Sequence, residues 1–273
     1  MQNTNPNLII IGAGQMGSAI AKGLLKSGFA EAKNILLFDL DAQKLANIEK
    51  EFAFKTCTAI SDLANAIKDE SIIIFAVKPQ NIDELLVEIS SFKIPQSALL
   101  ISILAGTKIA KFAKYFPENP IIRSMPNTPA QISKGATAIS PNKTCLPSQI
   151  QLAKTIFETL GIVVTLDEDK LDAVTALSGS GPAYVFLLTE AMTEAGVKLG
   201  LDEASAKALA RQTVCGAACL MTESGEEAST LREKVTSPNG TTYAALESFK
   251  ANNFKEIVSR ALDAACKRSK ELS

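Results

Sequence analysis

"LIIIGAGQMGSAIAKGL", Leu8 to Leu24, decides the fold of this chain. Four apolar residues, three of them β-branched, run straight into G-x-G-x-x-G at Gly12, Gly14 and Gly17, and an apolar pattern at helical period follows. Each glycine has its own task in such a strand–turn–helix. Gly12 permits the tight turn, Gly14 lets backbone approach a pyrophosphate, and Gly17 lets the helix pack closely on the strand. The helix N-terminus then offers amide donors and the positive end of a dipole to an anion. A glycine-rich turn that binds nothing is the plain alternative. The strand before it, the helix after it and the β-α alternation beyond supply the context that a lone fingerprint lacks.

Working outward, short apolar β-branched runs recur at residues 7–11, 34–38, 71–75, 97–102 and 120–124, with helical patterns between them. Runs of this kind read as strands buried on both faces, and the alternation predicts an α/β, Rossmann-type doubly wound sheet. "GATAIS" (135–140) and "GIVVTL" (161–166) are expected to add strands beyond the sixth, running antiparallel.

Asp39 ends the second run, twenty-two residues after Gly17. From that place an acidic side chain accepts hydrogen bonds from adenosine ribose hydroxyls. "DLDAQK" offers Asp39 and Asp41 and no arginine for a 2′-phosphate, so these residues favour NADH over NADPH. A helix N-cap is the other reading of Asp39, but it suits Asp41 better, because the helix begins at Ala42. "FAVKPQN" (75–81) and "ILAGTK" (103–108) follow strand ends on the same edge of the sheet, where ligands of open α/β sheets sit. Pro79 fixes a turn, while Ala105 and Gly106 leave room for a flat ring. In "RSMPNTPAQ" (123–131) two prolines bracket Asn127 and Thr128, a rigid loop able to present polar side chains. Lys78 reads as a solvated or phosphate-facing lysine before a catalytic acid, since nothing around it signals the burial that lowers a lysine pKa.

The texture changes after Asp167. Helical patterns follow one another with no convincing strand, so the expected organisation is a dinucleotide-binding domain over 1–166 and an all-α domain over 167–273. Asp202 reads as a helix N-cap and Gly200 as a helix stop. "AYVFLL", "AKALA" and "GAACLM" are apolar nearly all round, the mark of buried helices. A partner copy would cover what the domain cannot, which predicts an obligate homo-oligomer.

Composition narrows the chemistry. The 273 residues are 47% hydrophobic with net charge -1, which permits a large core and argues against a general nucleic-acid surface. No apolar run approaches the roughly 20 residues of a membrane span. "MQNTNPNLIIIGAG" has no basic region before its apolar stretch and does not read as a signal peptide. Five cysteines without a CxxC read as reduced thiols of a cytoplasmic protein, and Cys215 and Cys219 as buried small apolar residues. The absence of histidine excludes Ser-His-Asp triads, His general acid/base work and His-ligated zinc. Chemistry must rest on hydroxyls, carboxylates, lysine, backbone amides or a cofactor.

"GAGQMG", "AVKPQ", "MPNTP", "ALSGSGPAYVF" and "TSPNGTT" stand in the order and spacing of the pyrroline-5-carboxylate reductases, which the chain resembles over nearly its whole length. The resemblance implies hydride transfer from NADPH or NADH to C5 of the cyclic imine Δ1-pyrroline-5-carboxylate, giving L-proline. It implies that the cofactor touches Gly12, Ala13, Gly14, Gln15, Met16 and Gly17, then Ala76, Val77, Lys78, Pro79 and Ala105. Ser237 and the backbone amides near Gly240 and Thr241 would hold the substrate carboxylate, and Thr242 would reach the ring nitrogen as the catalytic contact. Glu168 and Lys234 fall at positions lining the substrate site, Lys234 departing from the usual residue. The family's dimers interlace through their helical domains, and rings of dimers are common. Asn239 stands where the family has a first glycine, "SILAG" places Leu104 near the nicotinamide loop, and "FDLD" agrees with NADH.

Two competing readings differ in what they need. A 3-hydroxyacid dehydrogenase needs a lysine on the first long helix of the second domain, yet "GSGPAYVFLLTEAMTEAGVK" has none before Lys198. A nucleotide-sensing Rossmann protein would keep "GAGQMG" but have no use for "TSPNGTT".

Overall fold

A computed structural model of the chain describes residues 6–272. The opening "MQNTN", part of the stretch read above against a signal peptide, lies outside the described residues. The chain forms two compact units, one running to Gly179 and taking in Ala265 onward, the other Ser180–Ala264. The expected boundary at 166/167 marks where strands stop, whereas the compact units part later along the chain.

In the first unit, β1 (Leu8–Ile11), α1 (Gln15–Lys26), β2 (Ile35–Phe38), α2 (Ala42–Phe52), β3 (Lys55–Cys57), α3 (Ile60–Ala66), β4 (Ile72–Phe75), α4 (Ile82–Ser90), β5 (Leu99–Ser102), α5 (Ile109–Ala113) and β6 (Ile121–Met125) alternate. Then come β7 (Gly135–Pro141), α6 (Pro147–Glu158), β8 (Gly161–Thr165) and the short α7 (Leu171–Val174). The sheet order is β3-β2-β1-β4-β5-β6-β7-β8. β1 to β6 are parallel; β7 pairs antiparallel with β6, and β8 parallel with β7, so the last two strands run against the rest. β3 left no hydrophobic run to read. It is a half-exposed edge strand, pairing with β2 alone, and needs no apolar residues on both faces.

The pleat sends alternate residues of each central strand to opposite faces. Leu8 and Ile10 of β1 join Ile20 and Leu24 of α1, Leu45 and Ile48 of α2, and Phe157 of α6 on one side. Ile9 and Ile11 join Leu63 of α3, Ile82, Leu86 and Ile89 of α4, and Phe112 on the other. Covered on both faces, the central strands can only be built from near-continuous Ile and Leu.

A buried polar cluster closes this unit. Arg123 on β6 is 2% exposed. Its guanidinium lies 3.3 Å from Glu168 Oε1 and 3.8 Å from Asp172 Oδ1. Glu168 Oε1 also accepts the Ile109 amide at 2.7 Å, and Ser269 Oγ donates to Asp172 at 2.7 Å. Segment 168–172 and the final turn of the chain are thereby pinned to the sheet, which is why the compact unit extends past the last strand and recovers the C-terminus.

The second unit carries α8 (Gly181–Lys198), α9 (Glu203–Ser224), α10 (Ala228–Lys234), α11 (Thr241–Ala251) and the first part of α12 (Phe254–Glu271). Asp202 caps α9 by accepting the Ser205 amide at 3.0 Å, and Gly200 before it stands at φ +100°. α8 and α9 pack where Gly196 meets Ala206. Much of the apolar surface finds no cover: Phe186 is 61% exposed and Leu187 66%, and Leu209, Leu220, Phe249 and Ile257 are exposed too. Cys215 and Cys219, expected to be buried, also lie exposed on α9. An apolar surface of this kind marks a protein–protein contact.

Arg123→Ala would strip the cation from the buried Asp172 and the half-buried Glu168. Removing one partner of a buried pair costs about 3–5 kcal/mol, and urea denaturation of the variant is expected to show a loss on that scale.

Candidate functional site

The glycine turn is held by close contacts that only hydrogen side chains allow. Gly12 stands at φ +107°, and a Cβ there would come within 2.6 Å of the Ala76 carbonyl oxygen. A Cβ on Gly17 would come within 1.9 Å of the Gly12 oxygen. A Cβ on Gly14 would meet nothing within 4 Å. The two outer glycines are thus required by packing, and the middle one faces open space beside the first turn of α1. α1 starts at Gln15 with no side-chain cap, so its first amides are left for an outside acceptor. A pyrophosphate fits this cradle, and β1/β4 is the switch point where the strand order reverses.

Asp39 sits at the mouth of the same turn. Its Oδ2 accepts the Ala13 amide at 2.8 Å, and its Oδ1 accepts the Asp41 amide at 3.0 Å. Lys44 Nζ bridges both oxygens, at 3.1 and 3.0 Å. Burial by itself would raise the carboxyl pKa, but the Asp41 amide, the Lys44 ammonium and the Ala13 amide together bring it below the usual carboxylate value. Asp39 is therefore ionised at neutral pH. Asp41 is the N-cap of α2, accepting the Lys44 amide at 3.0 Å, which leaves Asp39 for other work.

Ala76 continues the β1–β4 pairing, its amide donating to the Ile11 carbonyl at 2.7 Å, so Val77, Lys78 and Pro79 lead away from the glycine turn. Lys78 and Pro79 are exposed where a short 3₁₀ turn begins. After β5, Gly106 at φ +70° bends the chain, and Ala105 stays half-buried beside it. Leu104, expected near the nicotinamide loop, is 2% exposed and packs with Phe112 in the core, so its size serves the interior. Asn127 is structural: its amide nitrogen donates to Ser178 O at 3.0 Å and its oxygen accepts the Ala136 amide at 2.9 Å. It ties the loop after β6 to the π-helical turn Thr175–Gly179. Arg123 escaped the sequence reading, although an arginine inside an apolar strand run is a signal that a buried counter-charge exists.

In the second unit, the Gly240 amide donates to the Ser237 carbonyl at 3.1 Å and closes a turn with Pro238 and Asn239 at its centre. Asn239 stands at φ +57°, a left-handed conformation that asparagine tolerates and glycine would otherwise supply. Gly240 has extended backbone, and a Cβ there would be 2.3 Å from Ser237 Oγ. α11 follows with no side-chain cap, so the amides of Thr241, Thr242 and Tyr243 have no partner from a capping side chain. Ser237, Gly240, Thr241 and Thr242 are therefore gathered at one helix N-terminus. Lys234 is in an ion pair with Glu226, and Glu168 belongs to the first unit, bound to Arg123.

The fold and the dinucleotide cradle define an oxidoreductase of the Rossmann class that works with a nicotinamide dinucleotide. Residues 168–272 match the family model for pyrroline-5-carboxylate reductase dimerisation, and residues 7–106 that for NADP oxidoreductase, coenzyme F420-dependent. The chain is 40% identical over 272 residues to the pyrroline-5-carboxylate reductase of Pseudomonas aeruginosa, covering 99% of this chain and 98% of that one. The solved pyrroline-5-carboxylate reductase of Coxiella burnetii superposes with a TM-score of 0.91 at 34% identity, covering 99% of both chains. That of Plasmodium falciparum, solved with NADP bound, gives 0.85 at 33%, covering 98% of both. The chain belongs to the pyrroline-5-carboxylate reductase family. It is an enzyme that reduces pyrroline-5-carboxylate to proline, which sets aside the hydroxyacid dehydrogenase and nucleotide-sensing readings.

The dimerisation match assigns self-association to the helical part and accounts for its exposed apolar side chains. It also corrects one expectation. The helical run Glu168–Lys198 is long and apolar enough, by length and composition, to cross a membrane, with mean hydropathy 1.2 and 17% of its best window buried. It lies inside the dimerisation match, where a second subunit is the cover for such a surface.

Gly14→Ala and Gly17→Ala should separate cradle from packing. Gly14→Ala is expected to keep the melting temperature while raising the coenzyme KM tenfold or more. Gly17→Ala is expected to lower the melting temperature as well, and thermal denaturation with steady-state kinetics reads both.

Proposed function

We propose that the pyrroline-5-carboxylate carboxylate docks at the N-terminus of α11, on Ser237 and the backbone near Gly240 and Thr241, with Thr242 directed to the ring nitrogen. The observation that carries this reading is the uncapped α11 terminus folded against the Ser237–Gly240 turn. Amides at a helix start suit a carboxylate, and the dipole adds to them. Glu168 and Lys234 have their charged groups engaged by Arg123 and Glu226, so their part is to position neighbouring backbone.

The same geometry suits a protein without histidine. A pyrroline imine can bind already protonated, so no strong enzymic acid is required. The protein has to hold the carboxylate, orient the imine, and keep the ring nitrogen in hydrogen-bond contact with Thr242. Once bound, the reduced nicotinamide supplies the hydride that imine C5 accepts. Gly12 to Gly17 would hold its pyrophosphate, and Ala76 to Pro79 with Ala105 and Gly106 would border its nicotinamide half. Asp39 favours NADH, while the Plasmodium falciparum relative solved with NADP supports NADPH as the other coenzyme.

The working unit in this reading is an interlaced homodimer of residues 167–273, assembled further into a ring of dimers, in the cytoplasm. The exposed apolar faces of α8 and α9 support the assembly, and five cysteines without a CxxC support the compartment. Light scattering at low micromolar concentration is expected to give a dimer or a multiple of it; a stable monomer would end the proposal. Thr242→Ala should lower kcat/KM for pyrroline-5-carboxylate by one to two orders of magnitude, about the worth of one transition-state hydrogen bond. An unaffected variant would remove Thr242 from the mechanism.

A further inference from the structure

A carboxylate has two oxygens with two acceptor positions each. At Asp39 all four are filled: Oδ2 by the Ala13 amide and Lys44, Oδ1 by the Asp41 amide and Lys44. A ribose hydroxyl therefore reaches Asp39 only if one donor withdraws. The Ala13 amide is fixed in the glycine turn beneath Gly12 and cannot move without opening the packing against Ala76. The Asp41 amide is fixed at the start of α2, whose cap is in place. Lys44 is different. Its backbone amide is held by Asp41, but its ammonium sits on a flexible stem, with the side chain 39% exposed against 15% for Asp39. Solvent screens a partly exposed ion pair of this kind, so moving the ammonium aside costs little.

We propose that Lys44 determines coenzyme preference: its ammonium yields its place on Asp39 to a ribose hydroxyl, and stays beside the ribose as the cation that accepts a 2′-phosphate. This rests on the reading that the adenosine ribose docks at Asp39. An ionised Asp39 alone repels a 2′-phosphate. The Asp39–Lys44 pair is neutral and presents a donor on its solvent side. No arginine is required for that, and "DLDAQK" holds none. Lys44 thus tempers the NADH preference that Asp39 sets, and the site admits both dinucleotides.

The test measures binding of ADP-ribose and 2′-phospho-ADP-ribose to the full chain by titration calorimetry, with no turnover involved. Lys44→Ala keeps a good helix former at a partly exposed position of α2 and is expected to fold. It should weaken the 2′-phosphorylated ligand about tenfold, as loss of a charge-assisted bond does, and leave ADP-ribose within threefold or tighter. Lys44→Arg should restore the phosphorylated ligand, and high salt should shrink the difference between wild type and Lys44→Ala. The ratio of kcat/KM for NADPH and NADH should move in the same direction. Equal weakening of both ligands, or no change in either, overturns the proposal. If the wild-type chain bound both ligands but Asp39→Asn altered neither affinity, the docking of ribose at Asp39 would itself be wrong, and the role of Lys44 would fall with it.

Discussion

The approach of the glycine turn to the strand beside it is the constraint on which the rest of the structure depends. Gly12 can reach φ +107° and lie against the Ala76 carbonyl because it has no side chain. Gly17, in the first turn of α1, can lie on top of the Gly12 oxygen for the same reason. Both contacts hold β1, β4 and α1 at the point where the strand order reverses, and that reversal opens the crevice a dinucleotide needs. With the turn closed, the Ala13 amide points at Asp39, the end of β2 is fixed relative to the cradle, and the adenosine side of the site is formed.

Two polar clusters of this unit differ in the exposure of their cations, and their duties differ with it. Around Arg123 the cation itself and Asp172 are withdrawn from water, so the arginine must keep its carboxylates, and the cluster fastens segment 168–172 and the last turn of α12 to the sheet. Around Asp39 one partner remains partly in solvent. Screening lowers the value of that pair, and its lysine is free to exchange for a ligand. The same charge chemistry is scaffolding in one place and a discriminating contact in the other.

The helical unit makes a different economy of the same physics. Its helices are apolar on more faces than one subunit can cover, and the family's dimerisation module lies there. Between α10 and α11 the Ser237–Gly240 turn leaves backbone donors at a helix start. Such donors hold a carboxylate without titrating, which suits an enzyme that has no histidine and whose substrate can arrive as an iminium.

Leu8 to Leu24 by itself determined the strand, the turn, the helix and the kind of ligand, because hydrophobic period and glycine placement act locally. Asp41 as a cap and Asn239 as a stand-in for glycine were legible for the same reason. What the neighbours do was not legible. Leu104 turned into the core, Asn127 was taken up by backbone groups of Ala136 nearby and of the distant Ser178, and Arg123 found its carboxylates some 45 residues away, at Glu168, and beyond. β3 left no trace because an edge strand needs no apolar code. The identity of a side chain states what it can donate, accept or bury. Only the tertiary structure decides which partner reaches it first, and at Asp39 that decision filled every acceptor position and made Lys44 the one donor able to leave.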